Sequence, residues 1–202
     1  MSALPIESLP ELSPKAAEIA AHTRALLVAG GYNSFSYADL AERVGITKAS
    51  IHHHFASKAV LVRDVVVRYR QEAQVGLAGL TAQVDDPLSE LNAYADYWAG
   101  CIRSGEHPFC ICAMLATELP TIPDEVAVEV RAHFQDLNTW LAAVLKRGAA
   151  AGQFHLLNSP AVSAKAFMAV VHGAMLVARA LDDPKSFATI VQPAILKLTQ
   201  PG

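Results

Sequence analysis

No stretch of the 202-residue sequence is apolar for the roughly 18 to 20 residues that a bilayer crossing needs. The longest strongly apolar run, Ala166 to Ala178, is closed off by Lys165 and Arg179, so no membrane span is expected. The N-terminus, MSALPIESLPELSP, lacks the basic and apolar regions of a secretion signal, which predicts a cytoplasmic protein. Cysteine is scarce: Cys101, Cys110 and Cys112 cannot all pair within one chain, and a reducing compartment keeps them as thiols. Charged residues make up only 17% of the chain and the formal net charge is −3, so no global basic signature points to nucleic acid. There is no alternating β-branched run, G-x-G-x-x-G, phosphate loop or internal repeat. Paired carboxylates and a nucleophile elbow are also missing, so neither an enzyme nor a cofactor is expected. What is abundant is apolar residue, 52% of the chain. That excludes disorder and predicts extra apolar surface at an interface or cavity.

Helical punctuation runs along the whole sequence. Residues 1–13 contain prolines and no period, and are expected to form a flexible arm. From Lys15, the residues Ile19, Thr23, Leu26 and Leu27 share one face until Gly30-Gly31 stops the helix. Ser36 and Asp39 form an S-x-x-D capping box ahead of Leu40, Ala41 and Val44, and Gly45 ends that short helix. Thr47 is a natural N-cap for the next helix, in which Ile51 and Phe55 face inward. Ser57 then caps a much longer helix carrying Val60, Leu61, Val65 and Tyr69. Further on, Asp86-Pro87 opens a helix to about Ser104, and Pro108 to Leu119 is a shorter apolar segment. Helices starting at Pro123, at Ser159-Pro160 and at Pro184 complete the chain. The expected fold is all-α: an arm at 1–13, a three-helix head at 14–56 and a helical domain at 57–202.

Two short helices joined by a tight turn, Ser36 to Val44 and Thr47 to His54, have the layout of a helix-turn-helix. In that motif the second helix presents its N-terminal residues to the DNA major groove. Here those residues are Thr47, Lys48, Ala49 and Ser50. Lys48 can reach a guanine edge or a phosphate, Ser50 can hydrogen-bond to either, and Ala49 allows close approach or meets a thymine methyl. Helical hairpins of the same outline also serve as plain packing units. Residues 85–202 carry eight basic against twelve acidic residues, whereas residues 1–58 are balanced at five each and hold four of the eight histidines. His52, His53 and His54 point about 100° apart on a helix and cannot converge on one metal ion.

Residues 40–61, LAERVGITKASIHHHFASKAVL, resemble the signature of the TetR family of bacterial repressors. That signature is an A-x-x-x-G-(V/I)-(S/T) turn, a recognition helix with an aromatic-His-aromatic end, and S-K before a long helix. The resemblance spans residues 15–65; beyond them only the number and length of the helices match. It implies Ser36 and Tyr37 at phosphates, Lys48, Ala49, Ser50 and His52 at bases or phosphates with help from His53, and Lys58 clamping a phosphate. His52 and Ala59 depart from the family's usual Tyr and Glu, and a His at 52 still reaches a phosphate. The resemblance further implies a homodimer on a pseudo-palindromic duplex operator, released by a small-molecule effector. Its last two helices would form the dimer interface, with Ala166, Ala169, Gly173, Ala174 and Ala178 allowing close approach; the alternative is that these residues pack within one subunit.

Bulky residues that would line an internal effector site include Trp98, Met114, Phe134 and His172, although each is equally a core residue by type. The stretch FCICAMLATELPTIPDEV, Phe109 to Val126, resembles the electrophile- and hypochlorite-sensing branch of the family. That resemblance implies Cys110 as the sensing thiol and Arg179 as its basic partner. Cys110 and Cys112, about 200° apart if both are helical, are expected to face opposite ways. A metal-responsive repressor using Cys101, His107, Cys110 and Cys112 is the alternative.

Overall fold

The computed structural model describes residues 9–105 and 108–200. Among them there is no strand, as expected of an all-α chain. The helices are α1 (Pro14–Gly30), α2 (Tyr37–Val44), α3 (Lys48–His54), α4 (Lys58–Gln83), α5 (Pro87–Ser104), α6 (Ile111–Ala116), α7 (Asp124–Ala150), α8 (Pro160–Ala180) and α9 (Lys185–Thr199). A single 3-10 turn, Tyr32–Ser34, joins α1 to α2. The starts follow the capping chemistry: Ser13 caps α1 with Pro14 at its first position, and Asp86 caps α5 by accepting the Ser89 N–H at 2.8 Å.

The chain forms two compact units, Met1–Ala73 with Cys110–Phe134, and Gln74–Phe109 with Gln135–Gly202. The expected boundary at residue 56 thus falls inside the first unit, which also takes in most of α4, all of α6 and the start of α7. Its core is built from Ile19, Leu27, Leu40, Ile51, Leu61, Val62 and Val66, all fully buried. Val60, expected inside, is 42% exposed, because it lies one residue off the buried Leu61 and Val65 face of α4. Residues 1–8 of the expected arm lie outside the described residues. Just beyond them the Pro10 carbonyl is held by Arg68, whose Nη2 donates at 2.7 Å.

In the second unit Leu91, Leu141, Val144, Leu145, Val171, Met175 and Phe187 make the core. One buried polar knot pins three helices: Glu90 of α5, fully enclosed, accepts from Thr81 of α4 and from Arg147 of α7, and Trp140 Nε1 donates to Thr81 Oγ1 at 3.0 Å. The apolar run of the sequence lies in α8, whose 21 residues are by length and composition alone enough to cross a bilayer. In this fold α8 packs against α9 and buries Ala164, Phe167, Val171, Ala174, Met175 and Ala178.

Candidate nucleic-acid interface

The head is assembled from short helices fastened at both ends. At the start of α2 the capping box closes as predicted. Ser36 Oγ accepts the N–H groups of Ala38 and Asp39, while Asp39 Oδ2 accepts the Ser36 N–H at 2.7 Å. The Ser36 hydroxyl also donates to Asp39 Oδ2 at 2.7 Å, and these Ser36 hydrogen bonds hold the Asp39 carboxyl below its ordinary pKa. Gly45 ends α2 in the left-handed region at φ 70°, which lets the chain reverse into α3 within two residues. Thr47 caps α3, accepting the Ser50 N–H at 3.1 Å.

Ile51 and Phe55 anchor α3, at 0% and 5% exposure. Held from below in this way, the seven-residue helix turns Lys48, Ala49, His52 and His53 to solvent beside the exposed cap Thr47, with Ser50 half-buried. His52 Nδ1 lies 3.2 Å from the Ala56 carbonyl. A carbonyl only accepts, so Nδ1 carries the proton there and Nε2 is the nitrogen left to meet DNA. The Tyr37 and His52 rings meet edge to face with centroids 4.9 Å apart, which steadies that orientation.

Three of the residues expected at phosphates have internal duties. The Ser36 hydroxyl hydrogen is directed at Asp39, and the Tyr37 hydroxyl donates to the Phe55 carbonyl at 3.2 Å. Burial pushes the Tyr37 phenol up to about 12, so it stays a neutral donor. Lys58 Nζ donates to the Tyr32 carbonyl at 2.5 Å and to that of Phe35, and sits 4.3 Å from each of their ring centroids. Burial lowers the Lys58 pKa, and Glu118 and Asp39 oppose that shift. An ammonium has three hydrogens, so one is left over for a phosphate.

The expected sensor residues are divided between the units. In the first, Cys110 and Cys112 are both fully buried, against the expectation that they face opposite ways. The reason is local: Cys110 is the N-cap of α6, at φ −70° and ψ 122°, so the helical 100° rule does not operate between the two. Cys110 Sγ lies 3.8 Å from His133 Nε2, and the His133 ring meets Tyr69 at 5.2 Å and Phe134 at 5.7 Å. Burial drives the Cys112 thiol and the Tyr69 phenol well up, with Cys110 adding to both shifts. Met114 is half-buried. In the second unit Trp98 is buried against the Tyr97 ring, and His172 Nδ1 donates to the Met168 carbonyl at 2.9 Å. Arg179 is exposed and sets its guanidinium 5.3 Å from the centre of the Phe109 ring.

Among the described residues no three His, Cys, Asp or Glu side chains are grouped to hold a metal ion. His107, which the metal alternative required, lies outside the described residues.

A family model described as bacterial regulatory proteins, tetR family, matches residues 19–65. A second, described as tetracyclin repressor-like, C-terminal domain, matches residues 87–193. The chain is 52% identical to the crystal structure of a transcriptional regulator, TetR family, from Agrobacterium tumefaciens, with TM-score 0.90 over 92% of this chain and 98% of that one. A TetR transcriptional regulator from Legionella pneumophila has 23% identity and TM-score 0.82, covering 94% and 100%. The reduced form of NemR from E. coli has 15% identity and TM-score 0.80, covering 93% and 99%. No curated protein matches the chain.

Proposed function

The chain belongs to the tetR family of bacterial regulatory proteins, as DNA-binding transcriptional regulators with a ligand-binding C-terminal domain, and on that premise we propose that it works as a cytoplasmic homodimer on a two-fold operator. The observation that carries the DNA part is the solvent-facing row Lys48, Ala49, His52 and His53 on a helix anchored by Ile51 and Phe55. Lys48, Ala49, Ser50 and His52 read bases or phosphates, His53 assists, and Thr47, Ser36 and Tyr37 hold the motif in shape. Lys58 offers its remaining hydrogen to a phosphate.

The dimer reading is supported by α8, its C-cap Leu181 and α9, which leave Val162, Leu176, Leu181 and Leu196 at 50% to 66% exposure. The small residues of α8 divide accordingly. Ala174 and Ala178 are buried within the subunit, whereas Ala166, Ala169 and Gly173 lie on the exposed side, where a second copy can approach closely. A single reading head spans too little groove for useful specificity, so two heads are needed.

Release follows from an effector that favours the state with low operator affinity. The effector is a small molecule, for which Trp98 and His172 are candidate contacts in the second unit and, separately, Met114 and Phe134 in the first. A thiol-reactive effector is a second reading, favoured by one observation: His133 stands within reach of the Cys110 thiol proton. In that reading the Cys110 thiol passes its proton to His133 and its sulfur adds to the electrophile.

The test is operator affinity of the native chain and of Cys110→Ser before and after N-ethylmaleimide. Loss confined to the native chain supports the thiol reading. Equal loss in both removes Cys110 from it, and no loss in either leaves the non-covalent effector.

A further inference from the structure

The turn between α1 and α2, residues 31–35, is gripped on two sides by charged groups from elsewhere in the first unit. Glu118, two residues beyond α6, accepts the backbone N–H of Tyr32 at 2.5 Å and that of Asn33 at 3.0 Å. It also accepts the Asn33 side-chain amide at 3.0 Å, and the same Nδ2 donates to Thr121 Oγ1 at 3.3 Å. Gly31 precedes these residues at φ 82°, and a Cβ there would stand 2.2 Å from Glu118 Oε2. The carboxylate thus fills the space that a side chain at position 31 would occupy. From the other side Lys58 holds the carbonyls of Tyr32 and Phe35. Ser36, the cap of α2, follows directly.

Charge-assisted hydrogen bonds of this kind are stronger than neutral ones, and three N–H groups on two carboxylate oxygens fix both position and orientation. We propose that Glu118 is a positioning residue for operator recognition, its carboxylate fixing the α1–α2 turn, and with it Ser36 and Lys58, in the DNA-binding geometry. Because Glu118 is covalently continuous with α6, displacement of α6 withdraws the carboxylate and loosens the reading head. The inference rests on the DNA-binding reading above.

The test uses the full chain and a duplex that the native protein selects from a randomised pool, with a scrambled duplex as reference. Glu118→Gln keeps the size but offers one acceptor and two donors, so its amide N–H₂ confronts a backbone N–H. It should lose roughly tenfold in affinity for the selected duplex and little for the scrambled one, the scale of a charge-assisted bond. Asn33→Ala, an exposed site, should move the specificity ratio the same way, and the double variant should lose less than the two single effects combined. Affinities are taken per active molecule, so lower stability alone leaves the ratio unmoved. An unchanged ratio in both single variants overturns the role of Glu118 alone. Failure of the native chain to enrich any sequence overturns the DNA-binding reading and this inference with it.

Discussion

Lys48 is the residue on which the reading of DNA turns most, being cationic, exposed and placed at the first position of α3. Lys48→Ala should weaken binding to the selected duplex by about 1 to 3 kcal/mol and relax its sequence preference, measured by fluorescence anisotropy on matched and mismatched duplexes. A second residue-scale prediction concerns Glu90 and Arg147, whose side chains are 0% and 42% exposed. Arg147→Met leaves a buried carboxylate with one hydroxyl partner and should cost about 3 to 5 kcal/mol in urea unfolding. Glu90→Gln leaves a guanidinium that water can reach, and should cost less, about 1 to 2 kcal/mol. Equal costs would mean that Arg147 is not the group compensating the buried charge. The pairing could not be read from the sequence, since nothing in a Glu in the first turn of α5 and an Arg in the last turn of α7 marks either as internal.

Among the elements, α2 and α3 were legible almost to the residue, because caps and a left-handed glycine are local chemistry. The segment around α6 was not: the apolar segment from Pro108 to Leu119 forms α-helix only at Ile111–Ala116. The following residues spend their N–H groups on i−3 carbonyls, Glu118 on Leu115 and Thr121 on Glu118, so the chain closes into turns. That same departure delivers Glu118 to a turn some 85 residues earlier, a contact no local pattern encodes. The α8 and α9 face carries the element-scale prediction. Leu176, 59% exposed, lies beside Val177 on α8, and Leu176→Glu would place a charge in the proposed interface. The variant should sediment as a monomer and, having lost the second head, bind the operator about 100-fold or more weakly. A Leu176→Glu chain that remains dimeric would place the interface elsewhere.

For the molecule as a whole, the fold class and family were readable because the head's motif is compact in sequence. The effector end was not, since core and cavity residues share a composition and burial decides between them. Cys110 shows the difficulty: its type suggests reactivity, whereas its full burial makes access depend on opening of its surroundings. The central claim, a homodimer reading two related half-sites, is tested most directly by selecting duplexes from a randomised pool with the native chain and sequencing them. The predicted result is an inverted repeat whose half-sites are centred about one helical turn apart or a little more, with affinity falling when about half a turn of DNA is inserted between them. Enrichment of a single asymmetric half-site, or tolerance of that insertion, would contradict it.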